Sequence, residues 1–362
     1  MNPAAEAARQ AKKLLYAPER WAADRAGPSR RPRRARPLET GEWASTPFAD
    51  AVGAKVVGTP SGRFGYLRLW SFSVADDRAF VDEVVRLLGL LPERGLIVDL
   101  RANPGGLIWA AERLLQLFVP HEVEPTRFSL LATPLTRAMA AAPQNDGDLG
   151  PWRASLDDAI ATGELYSQAL PITSPGAAND TGQVYGGPVV AVVDANTYSA
   201  GDLFAAGFHD NEVGVLVTVG TATGAGGANV WEPDQVRDAL LSTPFAVDTL
   251  PAGTGYTLSV RRATRAGAAS GMAIEDVGVR GHRTYAMTRD DLVGDNRDLL
   301  AFCGAILTGQ PVSGLTVTAG AGEIEVQTTG LDRIDVFVDG RPEGWHTVGD
   351  GATRIAVDGG WE

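Results

Sequence analysis

Cysteine, lysine, histidine and long apolar runs are what this chain of 362 residues has least of. Its one cysteine, Cys303, excludes an internal disulfide and a cysteine-rich zinc site. The apolar run around it, Leu299-Leu300-Ala301-Phe302, predicts a buried small hydrophobe. No apolar stretch approaches the roughly 18 residues a membrane helix needs, so no span is expected. The segment from Met1 to Leu15 lacks the unbroken apolar core of a secretory signal, which predicts a cytoplasmic protein. There is no His-Glu-x-x-His and no calcium-loop pattern, and the glycine run 224–227 is not followed by Lys-Ser/Thr. Metal, nucleotide and other cofactors are therefore not expected.

What is present is an ordinary globular composition, 44% apolar and 21% charged, with a formal net charge of −12. The charge is uneven: residues 1–56 carry net +5 and the remainder net −17. An acidic body is a poor partner for phosphates, which argues against nucleic-acid binding. The basic cluster Arg30, Arg31, Arg33, Arg34 and Arg36 is interleaved with prolines and reads as solvated linker.

Three units follow from the patterning. Residues 1–62 read as short helices over 4–24, broken at Ala17-Pro18, and a Pro/Gly/Arg-rich linker over 26–62. Residues 63–312 read as an α/β core. Phe64 to Phe72 alternates as a strand does, and Phe80, Val84, Leu87, Leu88 and Leu91 recur at helical spacing. Leu96 to Leu100 is a buried strand and Leu107 to Val119 a second apolar helix, an order that implies a crossover and parallel pairing. Helices are expected over 129–142, 152–163, 199–208 and 296–308, and strands over 188–193 and 215–219. Residues 313–362 alternate with period two around 315–318, 323–326, 334–338 and 353–357, a small β appendage.

Two segments carry chemistry. In Asp99-Leu100-Arg101-Ala102-Asn103-Pro104-Gly105-Gly106-Leu107 a strand ends in a Gly-Gly turn that opens a helix. Such a turn leaves backbone N–H groups pointing outward where negative charge is stabilised. In Asp194-Ala195-Asn196-Thr197-Tyr198-Ser199-Ala200-Gly201-Asp202 a second strand, turn and helix would present the Ser199 hydroxyl beside the amide of Ala200. A nucleophile and oxyanion donors can be assembled from two such turns.

Together with Gly65-Tyr66-Leu67-Arg68-Leu69, the stretch Ser199 to Gly207 followed by Asp210, Thr223-Gly224-Ala225-Gly226-Gly227, and Glu275-Asp276-Val277-Gly278-Val279, these motifs resemble the S41 peptidases, the C-terminal processing and tricorn-type serine proteases. The resemblance spans roughly residues 63–287. It implies a ClpP/crotonase-like core, Ser199 as nucleophile, an oxyanion hole from Ala200 with Gly105 or Gly106, further family positions at Glu275 and Asp210, and a polypeptide substrate. Tail-specific members pair the serine with a lysine in Thr-Phe-Gly-Lys-Gly; here Gly226 stands at that position, and the only lysines are Lys12, Lys13 and Lys55. The base is then left to His121, His209, His282, His346 or a carboxylate. A binding module on the same scaffold, without turnover, is the alternative; a crotonase-type acyl-CoA enzyme follows from shared fold alone.

Overall fold

The structure is a computed structural model that describes residues 38–251, 254–320, 322–338 and 341–356. The expected helices over 4–24 and the basic cluster at 30–36 lie outside the described residues. In chain order the elements are β1 (Val52–Thr59), β2 (Gly62–Leu69), α1 (Asp77–Leu88), β3 (Leu96–Asp99), α2 (Ile108–Glu112), β4 (Arg127–Leu130), α3 (Pro134–Ala141), α4 (Arg153–Thr162), β5 (Leu170–Pro171), α5 (Pro175–Ala178), β6 (Val189–Asp194), α6 (Ala200–Asp210), β7 (Val215–Val219), β8 (Ala228–Trp231), α7 (Pro233–Leu240), β9 (Leu258–Thr264), β10 (Arg283–Tyr285), α8 (Arg289–Val293) and α9 (Arg297–Thr308). Five further strands, β11 (Gly314–Gly320) to β15 (Gly351–Ala356), complete the order.

A six-stranded sheet in the order β1-β2-β3-β6-β7-β10 organises the chain. Its strands are parallel from β2 onward, and β1 joins β2 antiparallel. Both faces are covered, which is why β3 (Leu-Ile-Val-Asp) and β6 (Val-Val-Ala-Val-Val-Asp) are almost continuously apolar rather than alternating. On one face Leu67, Leu69, Val98, Ala191 and Val193 pack with Val84 and Leu87 of α1, Leu114, and Phe204 and Phe208 of α6. On the other, Tyr66, Ile97, Val190 and Val192 meet Leu299, Cys303 and Leu307 of α9. Cys303 is buried, and burial pushes its thiol up to about 12. A second, antiparallel sheet in the order β5-β4-β9-β8 joins two strands from the stretch between α2 and β6 to two that follow β7. The appendage has its own small core of Ile324, Val326, Ile334, Val336, Val348 and Ile355. No helix among the described residues is long and apolar enough to cross a membrane.

Several readings of the sequence need correction. The segment 26–62 is not linker throughout: β1 pairs with β2 from Val52↔Leu69 to Thr59↔Gly62, and Val52 to Val57 are buried. Lys55 disguised it, because its ammonium is buried over the Trp43 ring (4.7 Å) with Asp295 3.6 Å away. Lys55 thus belongs to the core sheet rather than preceding it. The helix expected from 129 begins only at Pro134, where Thr133 caps it by accepting from Thr136 N; the preceding residues Arg127–Leu130 form β4 instead. The helix expected over 107–119 is α2 followed by a 3₁₀ turn, Leu115–Phe118. The appendage contains one more strand than the pattern shows, Arg341–Thr347.

Candidate active site

The two strand-to-helix turns meet. Asp194, the last residue of β6, accepts from Ala102 N (2.8 Å) in the first turn and from Asn196 N (3.0 Å) in its own. The Thr197 hydroxyl donates to Leu100 O (3.0 Å) and accepts from Asp194 N (3.0 Å). Tyr198 N donates to Asn103 O (2.8 Å). Seven residues just beyond or at the ends of β3 and β6 are thereby tied into one assembly, next to Ser199.

Ser199 sits just before α6 with φ +55° and ψ −122°, a conformation outside the helical and extended wells. Residues held in such regions cost about 1–3 kcal/mol each and persist only where their surroundings impose them. A Cβ at Gly105 would stand 2.6 Å from the Ser199 Cβ and 2.8 Å from Ala200 N, so the glycine turn lies directly against the serine. Gly105 has φ +91° and Gly106 φ +140°; a Cβ on Gly106 would overlap the Phe72 backbone. That overlap follows from a bridge in which Phe72 N donates to Gly105 O (2.9 Å) and Leu107 N to Phe72 O (2.8 Å).

These bonds separate the two glycines. Gly105 N donates to Asn103 Oδ1 (2.8 Å), so it is already engaged. Ala200 N, at the first position of α6, and Gly106 N have no acceptor among the described residues. The N-terminus of a helix favours negative charge at that point.

Asp202 is the contact the sequence reading did not single out. Its buried carboxylate accepts from Ala225 N (3.0 Å) and Gly226 N (3.1 Å), and the Thr223 hydroxyl and the backbone N–H of Ser199 lie close enough to stabilise its charge. Burial pushes it up to about 6, against the pull of those four donors. Its signal in the sequence is a lone carboxylate inside the apolar run Ala-Gly-Asp-Leu-Phe-Ala-Ala, one turn after the serine. The loop it holds also takes Gly224 N to Thr197 O (2.8 Å), and the Tyr198 ring lies over it: a Cβ at Gly226 would overlap that ring. The position at which tail-specific peptidases carry lysine is thus roofed by an aromatic ring.

Glu275 adjoins the same loop, since Asp276 N donates to Ala225 O (3.2 Å) and Glu275 N lies against Gly227. It lines a cavity of about 430 Å³ with Ser129, Tyr166 and Arg262. Burial, and then the charge of Asp276, raise its carboxyl above the usual range.

Asp210 is not brought to Ser199. It ends α6, whose eleven residues span about 16 Å, and there it is ion-paired with Arg265 through Nε (2.9 Å) and Nη2. The histidines are also elsewhere. His209 stacks on His282 with ring centroids 4.2 Å apart, and its Nδ1 accepts from Arg265 Nη2 (2.9 Å). His282 Nδ1 accepts from Leu216 N (3.0 Å), and burial, then His209 and the neighbouring arginines, lower its pKa. His121 Nε2 bonds Asn211 O (3.0 Å), and His346 lies in the appendage. Arg68 lies in β2, the strand next to β3. It is fully buried, donating to Asp99 O (2.7 Å) and Arg101 O. Although burial acts to raise the Asp99 carboxyl, Arg101 and Arg68 hold it well below the usual carboxylate range. This network is scaffold beneath the first turn. Among the described residues, no side chain hydrogen-bonds the Ser199 hydroxyl.

The model of Peptidase family S41 matches residues 63–260, more than half of the chain. No curated protein matches it by sequence. Among solved structures it is similar to mature CPAF complexed with lactacystin (17% identity, 69% of this chain and 53% of that chain, TM-score 0.48). It is similar also to the photosystem II D1 C-terminal processing protease (18%, 70% and 52%, TM-score 0.40) and to the tricorn protease (17%, 67% and 17%, TM-score 0.38). The chain therefore spans about half the length of the first two.

Proposed function

Because the chain belongs to peptidase family S41, we propose that it is a serine peptidase on a ClpP/crotonase-like core, hydrolysing bonds within flexible polypeptides. Ser199 Oγ attacks the scissile carbonyl carbon, and the N–H groups of Ala200 and Gly106 receive the oxygen as it becomes an oxyanion. The adduct collapses with cleavage of the C–N bond, the amine leaves carrying the proton taken from the Ser199 hydroxyl, and water then hydrolyses the acyl ester to a carboxylic acid and the free hydroxyl. The observation that carries this reading is the contact between Gly105 and a serine held at φ +55° beside two N–H groups without acceptors. Donors already aimed at a developing charge need no reorganisation during the reaction, and one such donor is worth about 10²–10³ in rate.

A hydroxyl needs a base to become a nucleophile near neutral pH. In this reading Glu275 is the carboxylate of the site, on the loop system that joins it to Ser199 through Ala225 and Asp202. Bonds to a catalytic base are often formed only with substrate in place. The binding-module alternative is favoured by one observation, the absence of a side-chain partner for the Ser199 hydroxyl among the described residues. A fluorophosphonate probe and casein hydrolysis separate the two. The peptidase labels at Ser199 and degrades casein, and both are lost in Ser199→Ala. Labelling that survives Ser199→Ala, or saturable peptide binding with no turnover, supports the module instead.

A further inference from the structure

The carboxylate of Asp202 faces two of the strained residues of the site at once. Ser199 (φ +55°) and Ala225 (φ +63°) are non-glycine residues with positive φ, and each directs its backbone N–H at Asp202. Gly226 N and the Thr223 hydroxyl complete the set. Thr223 is itself anchored, accepting from Val279 N (2.8 Å). Resting on the reading of Ser199 as nucleophile, we propose that Asp202 is a positioning residue, whose anionic carboxylate clamps the serine turn to the 223–226 loop and so maintains the backbone conformation that presents Ser199 Oγ.

The chemistry of the group requires it to be an anion. A carboxylate has acceptor sites only, enough for four donors; a protonated carboxyl turns one oxygen into a donor. The proton then competes with the N–H groups of Ala225 and Gly226, one on each oxygen, and a buried N–H left without its acceptor is costly. The Ser199 N–H faces Asp202, which leaves Ala200 and Gly106 as the amides open to an oxyanion. What faces Asp202 is dipolar, not charged: three N–H groups, one hydroxyl and the start of its own helix. It forms no ion pair among the described residues. Tyr198 covers the loop from the outside, and Glu275 and Asp276, farther along, act on each other. Burial places the titration near pH 6, so the clamp is complete above that pH and opens below it.

The test uses the full chain and the rate of fluorophosphonate labelling between pH 4.5 and 8.5. Wild type is expected to slow as pH falls through about 6. Asp202→Asn, with an unchanged melting profile, is expected to label roughly tenfold more slowly or worse at pH 8 and to lose the pH 6 midpoint. A variant that labels at the wild-type rate with the wild-type midpoint overturns the proposal. Should Asp202→Asn not fold, amide-proton NMR of the wild type decides: the Ser199, Ala225 and Gly226 amides shift together with one midpoint near pH 6. Amides that titrate separately, or not at all, overturn the clamp. If wild type is never labelled, or labels equally after Ser199→Ala, the nucleophile assignment fails, and the amide titration still judges Asp202 on its own.

Discussion

At position 105 a single methyl group separates a working site from a blocked one. An alanine there would place its Cβ 2.6 Å from the Ser199 Cβ while forcing φ +91° on a residue that avoids it. Gly105→Ala is expected to cost about 1–3 kcal/mol of stability and to lower Ser199 labelling sharply. Gly106→Ala displaces the loop from Phe72 and with it one oxyanion donor, so kcat should fall by about 10²–10³. Gly176→Ala, with nothing within 4 Å of its new methyl, is the neutral control. Thermal melts alongside turnover measure all three; wild-type turnover in both turn variants would remove the oxyanion arrangement. Ser199, Ala200 and the two glycines were legible because strand, turn and helix start are local signals. Asp202 was not, because the amides it accepts from, those of Ala225 and Gly226, lie more than twenty residues further along the chain. Nor was the position of the histidines: His209 lies at the far end of α6 from Ser199, and His282 stacks on it there.

Among the elements, α2 carries a group that gives the fold a pH dependence. Glu112 is fully buried, with Oε1 accepting Thr126 N (2.8 Å), and so ties the helix to the start of the second sheet. Burial pushes its carboxyl up to about 7, partly offset by the hydroxyl and amide donors around it. The unfolded chain titrates this group near 4.5, so the folded state holds a proton the unfolded state has lost. Its stability contribution is therefore complete below pH 4.5 and disappears as pH rises through 7, roughly 3 kcal/mol across the window. Melting of wild type should fall from pH 5 to pH 8 more steeply than that of Glu112→Gln, the difference cancelling every other titrating group. Equal slopes would show that Glu112 holds no proton in the folded state. The elements themselves were readable where both faces are covered, as in β3, β6 and β7, since an unbroken apolar run admits few alternatives. They were misread where tertiary contacts reverse local character: Lys55 makes β1 look solvated, and β4 was absorbed into the helix that follows it.

At the scale of the molecule, the sheet has two covers, and they are not equally close to the chain's end. Helix α9 seals one face with Leu299, Cys303 and Leu307 against Phe64, Tyr66, Ile97, Val190 and Val192. Its preceding residue Asn296 accepts from Arg101 Nη1 (2.9 Å), in the network beneath the glycine turn. Each buried side chain of this size contributes about 1.5–3 kcal/mol, against a total of about 5–15 kcal/mol for a domain. Losing α9 should therefore unfold the core. The β appendage differs, because its apolar residues form a separate cluster that includes none of the sheet's core positions. A chain ending at Gln310 is accordingly expected to keep its main melting transition and its Ser199 labelling, and a chain ending at Asn296 to lose both. Should the chain ending at Gln310 melt far below the full protein or stop labelling, the appendage would have to stabilise the site through the contact region of Phe64, Arg94, Leu307 and Leu315. Helix α9 and the appendage would then act as one cooperative unit.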